Sequence, residues 1–260
     1  MRNVLVVIAL ILLFSSYEIL LCLSRLLPPG RALEVNERLF KRAAHQVFIL
    51  MGKYSKVTLE LENPSGLELP ERFLLLTNHQ SLMDIPVFIE VLPGRMLRFV
   101  AKRELGTGIP FVSTILRRQG HALIKRDGDA TQSMRTILRF ARRCEAEGGC
   151  PVVFPEGTRS RDGFVGSFHT AGVRKVLAET PLPIVVAVID GGWRIARVKA
   201  LFKNLRGVKF RVRIVAVTGT LGAKREVLDA IASARERIVA ALAAMREEEG
   251  PSSQPCLGRK

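Results

Sequence analysis

Two short stretches carry residue types whose spacing could do chemistry. The first is "TNHQSLMD", residues 77–84, directly after the apolar run Phe73, Leu74, Leu75, Leu76. An imidazole and a carboxylate close together can form a general base. The acid fixes the tautomer by bonding one ring nitrogen and leaves the other free to accept a proton. His79 and Asp84 stand five residues apart, about 140° around a straight helix, so they meet only if the chain turns between them. The same residues also admit a plainer account. Ser81 and Asp84 make an S-x-x-D capping box before an apolar run, and Pro86 suits the first turn of a helix.

The second stretch is "VVFPEGTRSRDG", residues 152–163, another apolar run entering a turn. Gly157 lets backbone N–H groups come close to an anion and the Thr158 hydroxyl adds a donor. The Arg159 guanidinium can grip a phosphate through two parallel bonds. Its plain alternative is a surface turn in which Arg159, Arg161 and Asp162 pair with solvent or with one another.

Both stretches need a scaffold that brings loops together. From residue 57 onward, β-like runs at 57–61, 73–77, 97–101, 121–125, 152–154, 184–189 and 210–217 alternate with helical patterns near 85–92, 109–119, 130–147, 168–179 and 224–247. The expected fold class is α/β, a central mostly parallel or mixed sheet flanked by helices, with chemistry at the carboxyl ends of the strands. The expected organisation is an N-terminal pair of membrane-associated helices over 1–55, a main domain over 56–247 and a disordered tail over 248–260.

The N-terminal pair is expected from hydropathy. "VLVVIALILLF" follows Arg2, and the apolar character resumes in "ILLCLSRLL" after an interruption at Ser15, Ser16, Tyr17 and Glu18. No small-x-small cleavage site follows, which argues against a signal peptide. Glu18 falls inside any spanning window, so the segment could span or only dip into the bilayer. Pro28, Pro29 and Gly30 stop it, and a basic amphipathic stretch follows, suited either to a membrane interface or to the domain's own core.

The 40 Lys and Arg against 24 Asp and Glu give a formal charge of +16, a field that attracts anionic surfaces and ligands. Two Tyr and one Trp make a thin stacking platform, so no nucleic acid partner is expected. The basic stretch "WRIARVKALFKNLRGVKFRVR", residues 193–213, is a candidate face for anionic headgroups, or a solvated face. Cys22, Cys144, Cys150 and Cys256 form no CxxC pair and suit a reduced, cytosol-facing setting.

Taken together, an NHxxxxD stretch after one strand and FPEGTRS after another resemble the lysophospholipid acyltransferase family, of the 1-acyl-glycerol-3-phosphate type. "AKREL" with Ile109 and Pro110, "GHALIKR" and "LPIVVAVI" resemble further blocks of that family, and the resemblance covers roughly residues 73–190. The chain departs from the pattern at Val186, Lys125 and His169, positions that bear on the acceptor lipid more than on the chemistry. The resemblance implies a membrane-bound enzyme on the cytoplasmic face. It would move an acyl chain from acyl-CoA or an acyl carrier protein to the free hydroxyl of a lysophospholipid, most simply 1-acyl-sn-glycerol-3-phosphate, and otherwise another lyso-lipid such as a lyso-ornithine lipid. His79, oriented by Asp84, would take the hydroxyl proton with no acyl-enzyme, cofactor or metal. Arg159 with Gly157 and Thr158 would hold the acceptor phosphate, Glu156 would orient the arginine, and Arg126 and Lys102 are further candidates for the same anion. Two rivals use the same residues differently: a metal-dependent phosphohydrolase with His79, Asp84 and Glu156 as ligands, and a catalytically silent basic membrane-binding module.

Overall fold

The computed structural model describes residues 2–125, 129–160 and 162–250. Two long helices, α1 (Arg2–Leu23) and α2 (Pro29–Ser55), precede an alternation of strands and helices. In chain order these are β1 (Thr58–Glu62), β2 (Leu74–Thr77), α3 (Asp84–Val91), β3 (Leu97–Lys102), α4 (Val112–Arg118), β4 (Ala122–Ile124), α5 (Ala130–Glu147) and β5 (Cys150–Val153). There follow α6 (Thr170–Glu179), β6 (Pro183–Asp190), α7 (Val198–Asn204), β7 (Lys209–Thr220) and α8 (Lys224–Glu249).

The strands form one seven-stranded sheet in the order β1-β7-β6-β2-β5-β3-β4. All neighbours are parallel except β6 and β7, so the expected mixed α/β sheet is what the chain builds. Helices cover both faces, and the strands accordingly read as continuous apolar runs. Phe73 and Leu75 face the cluster shared with α1 and α2, while Leu74 and Leu76 face the cluster under α5, α6 and α8. That alternation is the period-2 geometry of a strand. All four side chains are fully buried, each stabilising the fold by about 2 kcal/mol.

Several expected boundaries move for local reasons. The helix expected near 109–119 starts at Val112, because Pro110 and Phe111 precede it and Phe111 takes φ 61°. The segment Ser15–Glu18 does not interrupt α1. Ser16 Oγ donates to Leu13 O at 2.7 Å, and the Glu18 carboxylate leaves the apolar face to accept Phe111 N–H and Thr114 Oγ1–H, both at 2.8 Å. α8 runs two residues into the stretch expected to be tail, since Glu248 is tied to Arg211 and Arg213 of β7; residues 251–260 lie outside the described residues. The inner faces of α1 and α2 join the apolar cluster of the sheet through Val6, Leu21, Phe40, Val47 and Met51.

Because β6, β2, β5, β3 and β4 all run the same way, the loops leaving their carboxyl ends gather on one edge of the sheet. The two stretches singled out above leave the adjacent strands β2 and β5, with the end of β6 on the other side of β2.

Candidate active site

The loop after β2 starts with a clamp. The Asn78 side chain donates to Ile189 O at 2.9 Å and accepts Ile189 N–H at 2.8 Å, which extends the β2/β6 ladder past the last strand residue. The chain then turns, and α3 begins at Asp84. This turn brings the residues five apart together: His79 Nδ1 lies 2.7 Å from Asp84 Oδ2. The same oxygen accepts the N–H groups of Gln80 at 2.6 Å and Ser81 at 3.0 Å, while Oδ1 accepts Ser81 Oγ–H at 2.8 Å. Asp84 is fully buried. A carboxylate with this many donors is acceptor only, so Nδ1 carries the proton and donates it to Asp84. His79 Nε2 keeps its lone pair and makes no hydrogen bond to a described residue. The imidazole also stacks on Phe154, ring centroids 4.1 Å apart.

Cap and pair are therefore one structure, but the capping box is only half formed. Asp84 reaches back to the Ser81 N–H as such a box requires. Ser81 Oγ, however, accepts the Met83 N–H at 3.1 Å and donates to Asp84 instead of capping the helix. Gly192, after β6, packs on this knot. A Cβ there would stand 2.9 Å from Ser81 Oγ and 3.1 Å from Asp84 Oδ1.

The loop after β5 is tied to the first by two bonds. Glu156 Oε1 accepts the His79 N–H at 2.8 Å, and the Ser160 N–H donates to His79 O at 2.7 Å. Glu156 Oε2 accepts the Gly166 N–H at 2.8 Å. Both carboxylate oxygens are thus spent on backbone, and the expectation that Glu156 orients Arg159 is corrected: it braces His79 against the returning end of its own loop. Burial raises the Glu156 pKa, opposed by the Gly166 and His79 N–H groups and the His79 charge.

Gly157 turns the chain with φ 67°. Thr158 is exposed and unbonded among the described residues. Arg159 is half-buried and donates through one terminal nitrogen to Ala196 O at 2.7 Å, which leaves its other edge open. Burial lowers its pKa, and the Asp84 carboxylate pulls it back up, so the guanidinium lies within the field of the histidine's partner. His79, Asp84, Glu156, Gly157, Thr158 and Arg159 are brought together on these two loops.

The other expected anion ligands are placed differently. Lys102 ends β3, two strands from β2, and pairs with Glu104 at 3.2 Å. Arg126 lies outside the described residues. The basic stretch 193–213 is not one headgroup face: it folds into a short 3-10 turn, α7 and the start of β7. Lys209 pairs with Glu60 at 2.9 Å, and Arg211 and Arg213 share Glu62 and Glu248 at 2.5–2.6 Å. Those guanidinium bonds hold the Glu248 pKa down to about 2. Burial pushes the Cys144 thiol up to about 12 and raises that of Cys150, which leaves neither as a nucleophile at neutral pH.

Behind the two loops lies a buried polar network that local sequence does not reveal. Gln80 donates to Asp190 Oδ1 at 3.0 Å and accepts the Trp193 N–H at 3.2 Å. Asp190, the last residue of β6, takes both 2.8 Å bonds of a buried fork from Arg246 near the end of α8. Arg246 also donates to Gly163 O at 2.7 Å, and so joins the two loops from behind. The available signal was an acidic residue closing an apolar strand and an Arg on the apolar side of the last helix; their distance in sequence hid the pairing.

Beside the site lies an apolar cavity of about 210 Å³. Leu82 and Met83 of the histidine loop and Pro86 of α3 form one wall, and Phe14 of α1, Met51 of α2 and Phe111 just before α4 form others.

Comparison with known proteins fits this geometry. The family model described as Acyltransferase matches residues 58–190, from the start of β1 to the end of β6. A chloroplastic 1-acyl-sn-glycerol-3-phosphate acyltransferase of Arabidopsis thaliana is 30% identical over 146 residues, 55% of this chain and 38% of that protein. The human 1-acyl-sn-glycerol-3-phosphate acyltransferase alpha is 34% identical over 122 residues, 44% of this chain and 40% of its own. The matches thus span less than half the length of these relatives. A crystal structure of the 1-acyl-sn-glycerophosphate acyltransferase PlsC of Thermotoga maritima superposes with a TM-score of 0.69 at 21% identity, covering 96% of this chain and 99% of that one, which establishes a shared fold. With both loops inside a family match that runs over half of its length, the chain belongs to the acyltransferase family.

Proposed function

We propose that the chain acylates 1-acyl-sn-glycerol-3-phosphate to phosphatidic acid, using an acyl thioester of CoA or of an acyl carrier protein. The observation that carries this reading is His79 held on its Nδ1 side by a buried Asp84 with Nε2 uncommitted. A proton acceptor thereby stands beside an arginine-bearing loop and an apolar cavity. His79 Nε2 takes the proton of the acceptor hydroxyl as that oxygen attacks the thioester carbonyl. Collapse of the tetrahedral intermediate breaks the C–S bond, and the imidazolium returns its proton to the departing thiolate. No acyl-enzyme forms and no cofactor beyond the thioester enters. Arg159 offers its open edge, with Gly157 and Thr158, to the acceptor phosphate. The apolar cavity against Leu82 and Met83 receives an acyl chain.

The test is transfer of labelled acyl chain by the purified protein to lysophosphatidic acid, with His79→Ala alongside. Near-normal transfer by that variant would overturn the reading.

Membrane attachment follows from α1. The stretch Val4–Leu26 is long and apolar enough to cross a bilayer, yet one side of α1 is committed to the protein. Glu18 is bonded to α4 and its N-terminal approach, and Arg118 donates to Leu21 O at 2.6 Å and Ser24 Oγ at 3.1 Å. The opposite side exposes Leu5, Ile8, Leu12, Ile19 and Leu23. We place this side in one leaflet of the cytoplasmic face, with the catalytic loops at the headgroup level. Replacing Leu12, Ile19 and Leu23 together by Glu should abolish flotation with anionic vesicles and leave the far-ultraviolet circular dichroism intact. Unchanged flotation would remove this attachment.

A further inference from the structure

A second cavity, of about 540 Å³, opens along the free edge of β4. Arg103, Arg117, Lys125, Arg139 and Arg143 line it, and no carboxylate does among the described residues. Arg117 is held from behind by Gly106 O, and Arg143 by Glu147 at 2.6 Å and Arg118 O at 3.2 Å. Arg103, Lys125 and Arg139 have no acidic partner among the described residues, whereas Arg143 has Glu147. Gln132, Ser133 and Thr136 add polar groups along one wall. The cavity also touches a buried unmet donor. His121 Nδ1 accepts the Phe99 N–H at 2.9 Å, so the ring proton sits on Nε2, which has no partner.

Place decides between a solvated basic groove and a ligand site. β4, β3, β5 and β2 are successive parallel strands, so Lys125 leaves the same end of the sheet as His79, three strand spacings or roughly 14 Å away. An extended pantetheine arm has a comparable reach. The turn Arg103–Gly106 and helix α4 separate the two cavities: Leu105 and Leu116 face the apolar one, Arg103 and Arg117 the basic one. We propose that the basic cavity holds the phosphates of the nucleotide end of acyl-CoA, which lets the pantetheine arm run along the strand ends and present the thioester to His79. This rests on the acyl-transfer reading. With Arg143 paired to Glu147, the four remaining cations match the roughly four negative charges of a diphosphate and a ribose phosphate, where a single phosphate monoester would leave about half of them unmatched.

The test compares donors. The double variant Lys125→Ala, Arg139→Ala should raise KM for acyl-CoA at least about tenfold with kcat nearly kept. It should leave KM for the S-acyl pantetheine, which has no nucleotide, where it was. Adenosine 3′,5′-bisphosphate should compete with acyl-CoA in the unaltered protein and lose most of that competition in the variant. Equal effects on both donors, no effect on either, or use of acyl carrier protein with no use of acyl-CoA would each overturn the site. Calorimetric titration of CoA into the purified full chain separates the two readings. CoA binding that the double variant weakens, in a chain that transfers nothing, would sustain the cavity and sink the acyl transfer. Transfer from acyl-CoA with no weakening would do the reverse.

Discussion

In the loop after β2, every polar side chain from Asn78 to Asp84 has a bonded partner, and Asp84 alone gathers four donors. In the loop after β5, Glu156 is as fully committed, but the crest that follows is not: Thr158 has no partner among the described residues and Arg159 spends one nitrogen on Ala196 O. The difference separates two kinds of work. A group that must accept a proton from one direction gains from a rigid surround, because each fixed partner narrows the angle of the ring. A group that must meet an incoming anion gains from donors that are placed but unspent. The rigid half of the second loop, Glu156, belongs to the first loop in function, since it grips the His79 backbone.

The comparison breaks most sharply at Asp84. Replacing it with Asn puts an amide where Gln80 and Ser81 N–H groups and His79 Nδ1–H all converge. The ring then loses its fixed tautomer, and kcat should fall by about 10²–10⁴. In His79→Ala, kcat should fall as far. Asp84→Asn should also cost roughly 1–3 kcal/mol in denaturant unfolding, since donors are left facing a donor. A kcat within threefold of the unaltered chain would mean the knot is only a helix start.

Glu156→Gln sharpens the boundary between the loops. One of the two N–H groups, from His79 or Gly166, would face the new NH2, at about 1–3 kcal/mol in stability. The pH dependence gives an independent reading. The Glu156 pKa is raised in the fold above its ordinary 4.5. Between those two values the folded chain binds more protons than the unfolded one, so this carboxyl's contribution is full below the unfolded value and is lost as pH rises through the folded one. The Gln variant lacks this term. Its unfolding free energy should fall less steeply than that of the unaltered protein as pH climbs through that window, and parallel curves would show that Glu156 is not the buried acid described.

Much of this was legible in the sequence. Strands fully buried on both faces announce themselves as short apolar runs between turns, which is why the α/β sheet and its loops could be read from residues such as Phe73–Leu76. The pairing of His79 with Asp84 was legible as a possibility, because a turn between a strand and a helix is the one local geometry that joins residues five apart. What could not be read were partners set by the tertiary fold. Glu156 stands beside Arg159 in sequence and bonds the backbone of His79 instead. Arg211 and Arg213 look like free charge until β1 and α8 bring Glu62 and Glu248 to them. Arg246 reaches Asp190 only because α8 packs back across the sheet.

Arg159→Lys tests the open half. The guanidinium keeps one nitrogen on Ala196 O and offers its other edge as a fork. An ammonium on a flexible stem cannot satisfy both at once. KM for the phosphate-bearing acceptor should rise about tenfold, the loss of one charge-assisted bond, while kcat and the unfolding midpoint stay close to their original values. A drop in kcat with KM unchanged would move Arg159 from the acceptor's headgroup to the reacting carbonyl.

The smallest effect belongs to Thr158, and it discriminates because it is small. An exposed hydroxyl without a partner contributes little to the fold, so Thr158→Val should leave unfolding free energy within about 0.5 kcal/mol. If the hydroxyl donates to the acceptor phosphate, the same change should raise acceptor KM a few-fold, equivalent to a neutral hydrogen bond of about 1 kcal/mol, and should add to the effect of Arg159→Lys only in part, because the two groups would share one anion. Stability and affinity would then separate at this residue as they do at Arg159. A Thr158→Val chain that loses stability instead would show the crest to be built like the knot beneath it, and the division between a rigid base and an open cradle would fail.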